Sequence, residues 1–131
     1  MKLFAPNEFW IADDIQRREI VGGCGPGGIG DLLVPDTIWG LSIRLACMIH
    51  DWMYAFGKTL DDKMRADRVF LNNMVRMINS ETKYEFLRRL RLRTARGYYE
   101  AVKRYGGPAF WDDKDDPNGK VLDARKILKN V

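Results

Sequence analysis

The chain has one histidine and two cysteines in 131 residues, and it has no long hydrophobic run. Two cysteines permit at most one disulfide, which excludes a small domain built on a disulfide framework. The longest stretch without Asp, Glu, Lys or Arg is Ile20 to Gly30, eleven residues of which six are glycine. A membrane span needs roughly 18 apolar residues, so no transmembrane helix is expected. Glu8 interrupts the opening Met-Lys-Leu-Phe-Ala-Pro-Asn before an apolar block of about seven residues can form, so no secretory signal is expected. Repeats and low-complexity tracts are lacking too, which leaves a single domain over residues 1–131 as the expected organisation.

The composition is that of a globular chain with a core to bury: 46% hydrophobic and 31% charged. Its net charge of +4 is unevenly spread. Between Lys83 and Arg104 there are eight bases and two acids, a local charge of +6, so the rest of the chain carries −2. A concentrated basic stretch suits a phosphate-bearing partner, either a nucleic acid or an anionic membrane surface. It also suits a plain solvated helix face, because Arg and Lys are good helix formers.

Apolar periodicity and Gly/Pro punctuation predict an all-α fold with four helical segments. The first runs over Pro6 to Ile20, with the proline at an early helical position. The glycine-rich loop Gly22 to Gly30 follows, where six glycines in nine residues rule out a regular element. The second helix is predicted from a cap at Asp36, with Ile38, Leu41, Leu45, Ile49, Trp52 and Phe56 at helical spacing and a stop at Gly57. Asp61 and Asp62 are capping candidates for a third helix whose apolar face is Met64, Leu71, Met74, Val75 and Ile78. The second and third helices should form an antiparallel hairpin. A fourth helix, basic and amphipathic, is predicted from a Thr82–Glu85 capping box to Gly106-Gly107. An aromatic pair, Phe110-Trp111, an acidic turn, Asp112 to Gly119, and a short helical end from Leu122 complete the chain. No sheet of consequence is expected.

His50, the sole histidine, lies inside the second helix. Helical geometry puts Cys47, His50 and Tyr54 in one row and turns Asp51 by about 100°, so that imidazole and carboxylate project side by side without bonding each other. His50 is seven residues before Gly57, and Asp67 follows the connection on the next helix. In an antiparallel hairpin the two should meet. A half-buried Asp67 needs a donor, and His50 N–H can supply it; that bond would fix the tautomer and leave the other ring nitrogen as a general base. The competing reading is a structural hydrogen bond.

Glycines in Gly23-Cys24-Gly25-Pro26-Gly27-Gly28 can turn carbonyl oxygens inward, and calcium takes 6 to 8 oxygen ligands, so loop carbonyls, a bidentate Asp51 and waters would make a site. Glycine-rich loops also cradle phosphates. A disulfide or close contact between Cys24 and Cys47 would hold the loop beside His50 and Asp51.

The run Cys24-Gly25-Pro26-Gly27-Gly28, together with Cys47-Met48-Ile49-His50-Asp51-Trp52-Met53-Tyr54, resembles the calcium loop and the Cys-x-x-His-Asp-x-x-Tyr helix of the secreted-type phospholipase A2 superfamily. Asp67 follows as in its compact prokaryotic and viral members. The resemblance covers residues 22–74. Ala46 and Met53 stand where disulfide-rich secreted members have cysteines.

This resemblance implies calcium-dependent hydrolysis of the sn-2 ester of glycerophospholipids. It implies His50 as general base, with Asp67 as the carboxylate behind it and Tyr54 supporting that pair. Ca2+ would be held by Asp51 and the carbonyls of Gly23, Gly25 and Gly27. Gly25 N–H would help hold the oxyanion, and a Cys24–Cys47 disulfide would tie loop to helix. The expected partner is an anionic phospholipid membrane surface, met through Phe9-Trp10-Ile11 and the basic fourth helix. No specific nucleic acid is expected. A lipid hydrolase without a signal peptide is expected to travel in a virus or phage particle, or by a specialised export route.

Two rival readings remain at this level. One is a catalytically inactive phospholipase-like binding protein; the other is a nucleic-acid binder using the Leu87 to Arg104 helix. An EF-hand at the acidic turn is excluded, because placing Gly119 at the obligatory glycine puts Lys114 and Arg125 at its first and last ligand positions.

Overall fold

A computed structural model describes residues 2–20 and 34–111. The glycine-rich loop and everything beyond Trp111, including the expected acidic turn and the helical end from Leu122, lie outside the described residues. Within them the chain is helical apart from one two-stranded hairpin. The elements are α1 (Asn7–Ile11), α2 (Asp14–Ile20), β1 (Thr37–Ile38), β2 (Leu41–Ser42), α3 (Arg44–Phe56), α4 (Leu60–Glu81), α5 (Glu85–Tyr105) and α6 (Gly107–Phe110). Among the described residues no helix is long and apolar enough to cross a membrane.

The N-terminal segment is two helices rather than the single one expected over Pro6 to Ile20. Pro6 is the N-cap of α1, and Ala12 leaves the helix in an extended conformation. Asp13 then opens a new helix through a reciprocal box: Gln16 N–H donates to Asp13 Oδ1 at 2.8 Å and Asp13 N–H to Gln16 Oε1 at 3.0 Å. Two orphan donors are satisfied by stopping and restarting, which outweighs one continuous helix of poor periodicity. Phe9, expected at a membrane interface, is fully buried against Ile49 and Trp52; Trp10 and Ile11 are exposed. Asn73 holds the preceding segment onto α4, accepting from Phe4 N–H at 2.7 Å and donating to Phe4 C=O at 2.8 Å.

Residues 37–42 also depart from the expectation, since Asp36 does not cap a helix. Thr37 pairs with Ser42 and Ile38 with Leu41 across a tight turn, Trp39-Gly40, whose φ values are 46° and 79°. Two successive positive φ values are the mark of the hairpin turn that matches strand twist, and Gly40 adopts its value without strain. The i, i+3 spacing of Ile38 and Leu41 fits a helix and a two-residue hairpin equally. Tertiary contacts decide it: Trp39 Nε1–H donates to Thr94 Oγ1, Arg91 Nη2 to Trp39 C=O and Tyr98 O–H to Thr37 C=O, all on α5.

Helix α3 starts at Arg44 and ends at Gly57, whose N–H bonds Met53 C=O at 2.9 Å. Gly57 is required for a steric reason, because a Cβ there would lie 2.6 Å from the Phe110 ring. The N-cap of α4 is Thr59 rather than Asp61 or Asp62. Its Oγ1 accepts from Asp62 N–H, and Asp62 returns the bond to Thr59 N–H. The buried face of α4 is Lys63, Ala66, Asp67, Phe70, Asn73, Met74, Met77 and Ile78; Met64 points to solvent. The expected Thr82–Glu85 box is absent too. Thr82 Oγ1 accepts from Arg91 at 2.8 Å, and Glu85 binds Arg88 and Arg89, so ion pairing on an exposed turn replaces capping.

The core forms where α3, α4 and α5 meet, from Ile43, Ala46, Cys47, Phe70, Met74, Ile78, Ala95 and Val102. A smaller cluster of Tyr54, Ala66, Phe110 and Trp111 closes the end near Gly57. The ring of His50 touches both, against Phe70 of the first and Tyr54 of the second.

Candidate functional site

Helices α3 and α4 are joined by only three residues, 57–59, and fold back on one another. That return brings His50 and Asp67 together: Nε2 lies 2.8 Å from Oδ1, and both side chains are 2% exposed. Tyr54, one turn beyond His50, donates its O–H to the same Oδ1 at 2.6 Å. The His50 ring is flanked by Tyr54 and Phe70, with centroids 4.1 and 4.7 Å away.

A third donor was not singled out from the sequence. Lys63 is buried, and its Nζ reaches Asp67 Oδ2 at 2.9 Å and the carbonyls of Val102 and Lys103 at 3.3 Å each. Its signal in the sequence is its place four residues before Asp67, on the row of Ala66 and Phe70, where a lysine needs a buried acceptor.

Burial drives His50 below its ordinary value and outweighs the opposing hydrogen bond and charge of Asp67, so the imidazole is neutral at neutral pH. Burial also disfavours ionised Asp67. The hydrogen bonds from His50, Lys63 and Tyr54 more than offset this, and its carboxyl stays below the usual range. A neutral imidazole facing an ionised carboxylate carries its proton on Nε2 and a lone pair on Nδ1.

Asp51, the next residue along α3, is the opposite case. It is 8% exposed and neither carboxylate oxygen has a hydrogen-bond partner among the described residues. With nothing to compensate burial, its carboxyl is pushed up to about 8. A buried carboxylate without donors is costly as a free anion and suits a bound cation. Asp51 therefore fits the calcium ligand that the sequence implies. Among the described residues no three His, Cys, Asp or Glu side chains cluster as metal ligands. Gly23, Gly25 and Gly27, expected to supply carbonyl ligands, lie outside the described residues. Cys47 is buried and disulfide-bonded; Cys24, its expected partner, also lies outside them.

On the far side, α5 exposes Arg93, Arg96 and Lys103 with no carboxylate partner among the described residues, whereas Arg88, Arg89 and Arg104 pair with Glu85 and Glu100. Phe86 is 68% exposed at the start of the same helix.

Comparison with protein-family models, curated proteins and solved structures gives no significant match to this chain.

Proposed function

We propose that the chain is a calcium-dependent hydrolase of the sn-2 ester of glycerophospholipids. The observation that carries this reading is the contrast between neighbours on α3. His50 is neutral and bonded through Nε2 to Asp67, while Asp51 presents two buried oxygens with no donor among the described residues. The resemblance of residues 22–74 to the phospholipase A2 superfamily supplies the reaction, and this geometry supports it.

In that reaction His50 Nδ1 takes a proton from water as its oxygen bonds to the ester carbonyl carbon. Asp67, already accepting Nε2–H, stabilises the imidazolium that forms. Collapse breaks the bond to the glycerol oxygen, which recovers the proton from Nδ1, so that fatty acid and lysolipid leave and His50 is neutral again. No acyl-enzyme is needed. Tyr54 and Lys63 hold Asp67 still throughout. Asp51 and the loop carbonyls of Gly23, Gly25 and Gly27 would hold calcium, which when bound supplies Lewis-acid polarisation of the ester and neutralises phosphate charge. Gly25 N–H would add a donor to the oxyanion. Arg93, Arg96 and Lys103, which have no carboxylate partner among the described residues, would with exposed Trp10 and Ile11 meet an anionic membrane surface.

The test is release of fatty acid and lysolipid from mixed-chain phospholipid vesicles, with calcium and then with a chelator, for the natural sequence, His50→Gln and Asp51→Asn. Calcium-dependent sn-2 release, lost in both variants, is expected. No release across several headgroups from folded protein, or release indifferent to His50→Gln, refutes the proposal.

A further inference from the structure

Buried lysines are rare, and Lys63 is 6% exposed. Its ammonium has three donors and meets three acceptors: Asp67 Oδ2 at 2.9 Å, and the carbonyls of Val102 and Lys103 at 3.3 Å. Those two carbonyls belong to the last turn of α5, where backbone acceptors lack intrahelical donors and the helix end favours a cation. The ammonium also lies 5.8 Å from the centroid of the Tyr54 ring. One side chain thus touches the carboxylate behind His50, the tyrosine sharing that carboxylate and the end of a helix that contributes no other group to the pair.

The carboxylate needs such a hold. Rotation about the last torsion of an aspartate is broad and nearly two-fold, so Asp67 could exchange its two oxygens or tilt away from the imidazole plane. Tyr54 and His50 both bond Oδ1, and neither restrains Oδ2. We infer that Lys63 is a positioning residue: by fastening Asp67 Oδ2 to the C-terminal end of α5, it aims Oδ1 at His50 Nε2 and holds the imidazole in the Nε2–H tautomer. A buried methionine would fill the same space without desolvating a charge, so packing alone does not account for a lysine here.

The kinetic consequence rests on the hydrolase reading, but the tautomer does not, and the experiment separates them. His50 is the only histidine, so ring-15N histidine spectra report this one side chain. At one neutral pH, in calcium-free protein, the natural sequence should show a single neutral tautomer protonated on Nε2, with a slowly exchanging Nε2–H. Lys63→Met should mix the tautomers and speed exchange of that proton by about tenfold or more, and Lys63→Arg, which can bond carboxylate and carbonyls together, should recover both. In the vesicle assay Lys63→Met should lower kcat about 10- to 100-fold with KM little changed, the usual loss when an orienting partner is removed.

A folded Lys63→Met protein that keeps the single Nε2–H tautomer and its slow exchange overturns the inference, whatever its activity. If Lys63→Met does not fold, Lys63→Gln gives the same decision, since its shorter side chain loses the reach to α5 and should also mix the tautomers. A natural sequence inert on phospholipid, with a tautomer that still responds to Lys63→Met, supports the positioning role and counts against the hydrolase reading alone.

Discussion

Asp51→Asn gives a stability change whose sign depends on pH in a way that packing arguments do not reproduce. In the folded, calcium-free protein the Asp51 carboxyl sits at about 8 against an ordinary 3.8. A raised acid weakens the fold: below about pH 4 both states are protonated, and as pH rises only the unfolded chain ionises, so stability falls until the folded carboxyl also ionises near pH 8. Each pH unit in that window costs about 1.4 kcal/mol. An isosteric asparagine does not titrate. The variant should therefore gain on the natural sequence by about 1.4 kcal/mol per unit, or ~3 kcal/mol between pH 5 and pH 7, and the gain should level off above pH 8. Urea unfolding of both proteins at four pH values with a chelator present measures this directly. Saturating calcium at neutral pH should reverse the order, since a ligand at 100 times its Kd adds about 2.7 kcal/mol to the protein that binds it. A difference between the two proteins that is flat from pH 5 to pH 8 refutes the account of Asp51 as an uncompensated buried carboxylate.

Other consequences are as direct. Tyr54→Phe removes one of three donors from Asp67 and should cost about 1.5 to 3 kcal/mol in chemical denaturation, the usual worth of a hydrogen bond to a charged group; an unchanged midpoint would mean that the bond contributes nothing. Gly57→Ala places a methyl carbon 2.6 Å from the Phe110 ring and should lower stability by about 1 to 3 kcal/mol, seen as a reduced thermal midpoint, and Phe110→Leu in the same chain should recover part of the loss. Binding to anionic vesicles should weaken steeply with salt and further on joint replacement of Arg93, Arg96 and Lys103 by Gln; salt-insensitive binding would make those residues a solvated face.

The pairing of His50 with Asp67 is legible in the sequence because it needs only helical spacing and a short turn at Gly57, both local properties. Features set by distant partners are not. Asn73 has its backbone partner in Phe4, 69 positions away, which no local pattern announces. Residues 37–42 fit a helix until Thr94, Arg91 and Tyr98 of α5 bind them as a hairpin. The difference at α4 is a small rotation of the helix: choosing Met64 for the apolar face hides Lys63, which is buried and whose ammonium bonds Asp67 on its own helix but finds its other two acceptors only when α5 is in place. The missed break at Ala12 had a local signal after all, in the spacing of Asp13 and Gln16.

The bonds between the 37–42 hairpin and α5 bridge 52 to 61 positions of sequence. Closing a loop of that length costs conformational entropy before any contact repays it, whereas α4 and α5 are neighbours joined by a short turn and can associate early. The hairpin also leads directly into the first turn of α3, with Ile43 N–H bonded to Asp36 C=O at 2.8 Å. Helices α3 and α4, joined by three residues, can associate as early as α4 and α5, and the expected order seats the hairpin on α5 after both pairs have formed. By the same measure the meeting of His50 with Asp67, across 17 positions, belongs to the local contacts that can form early, and the hairpin closes over the start of α3 afterwards.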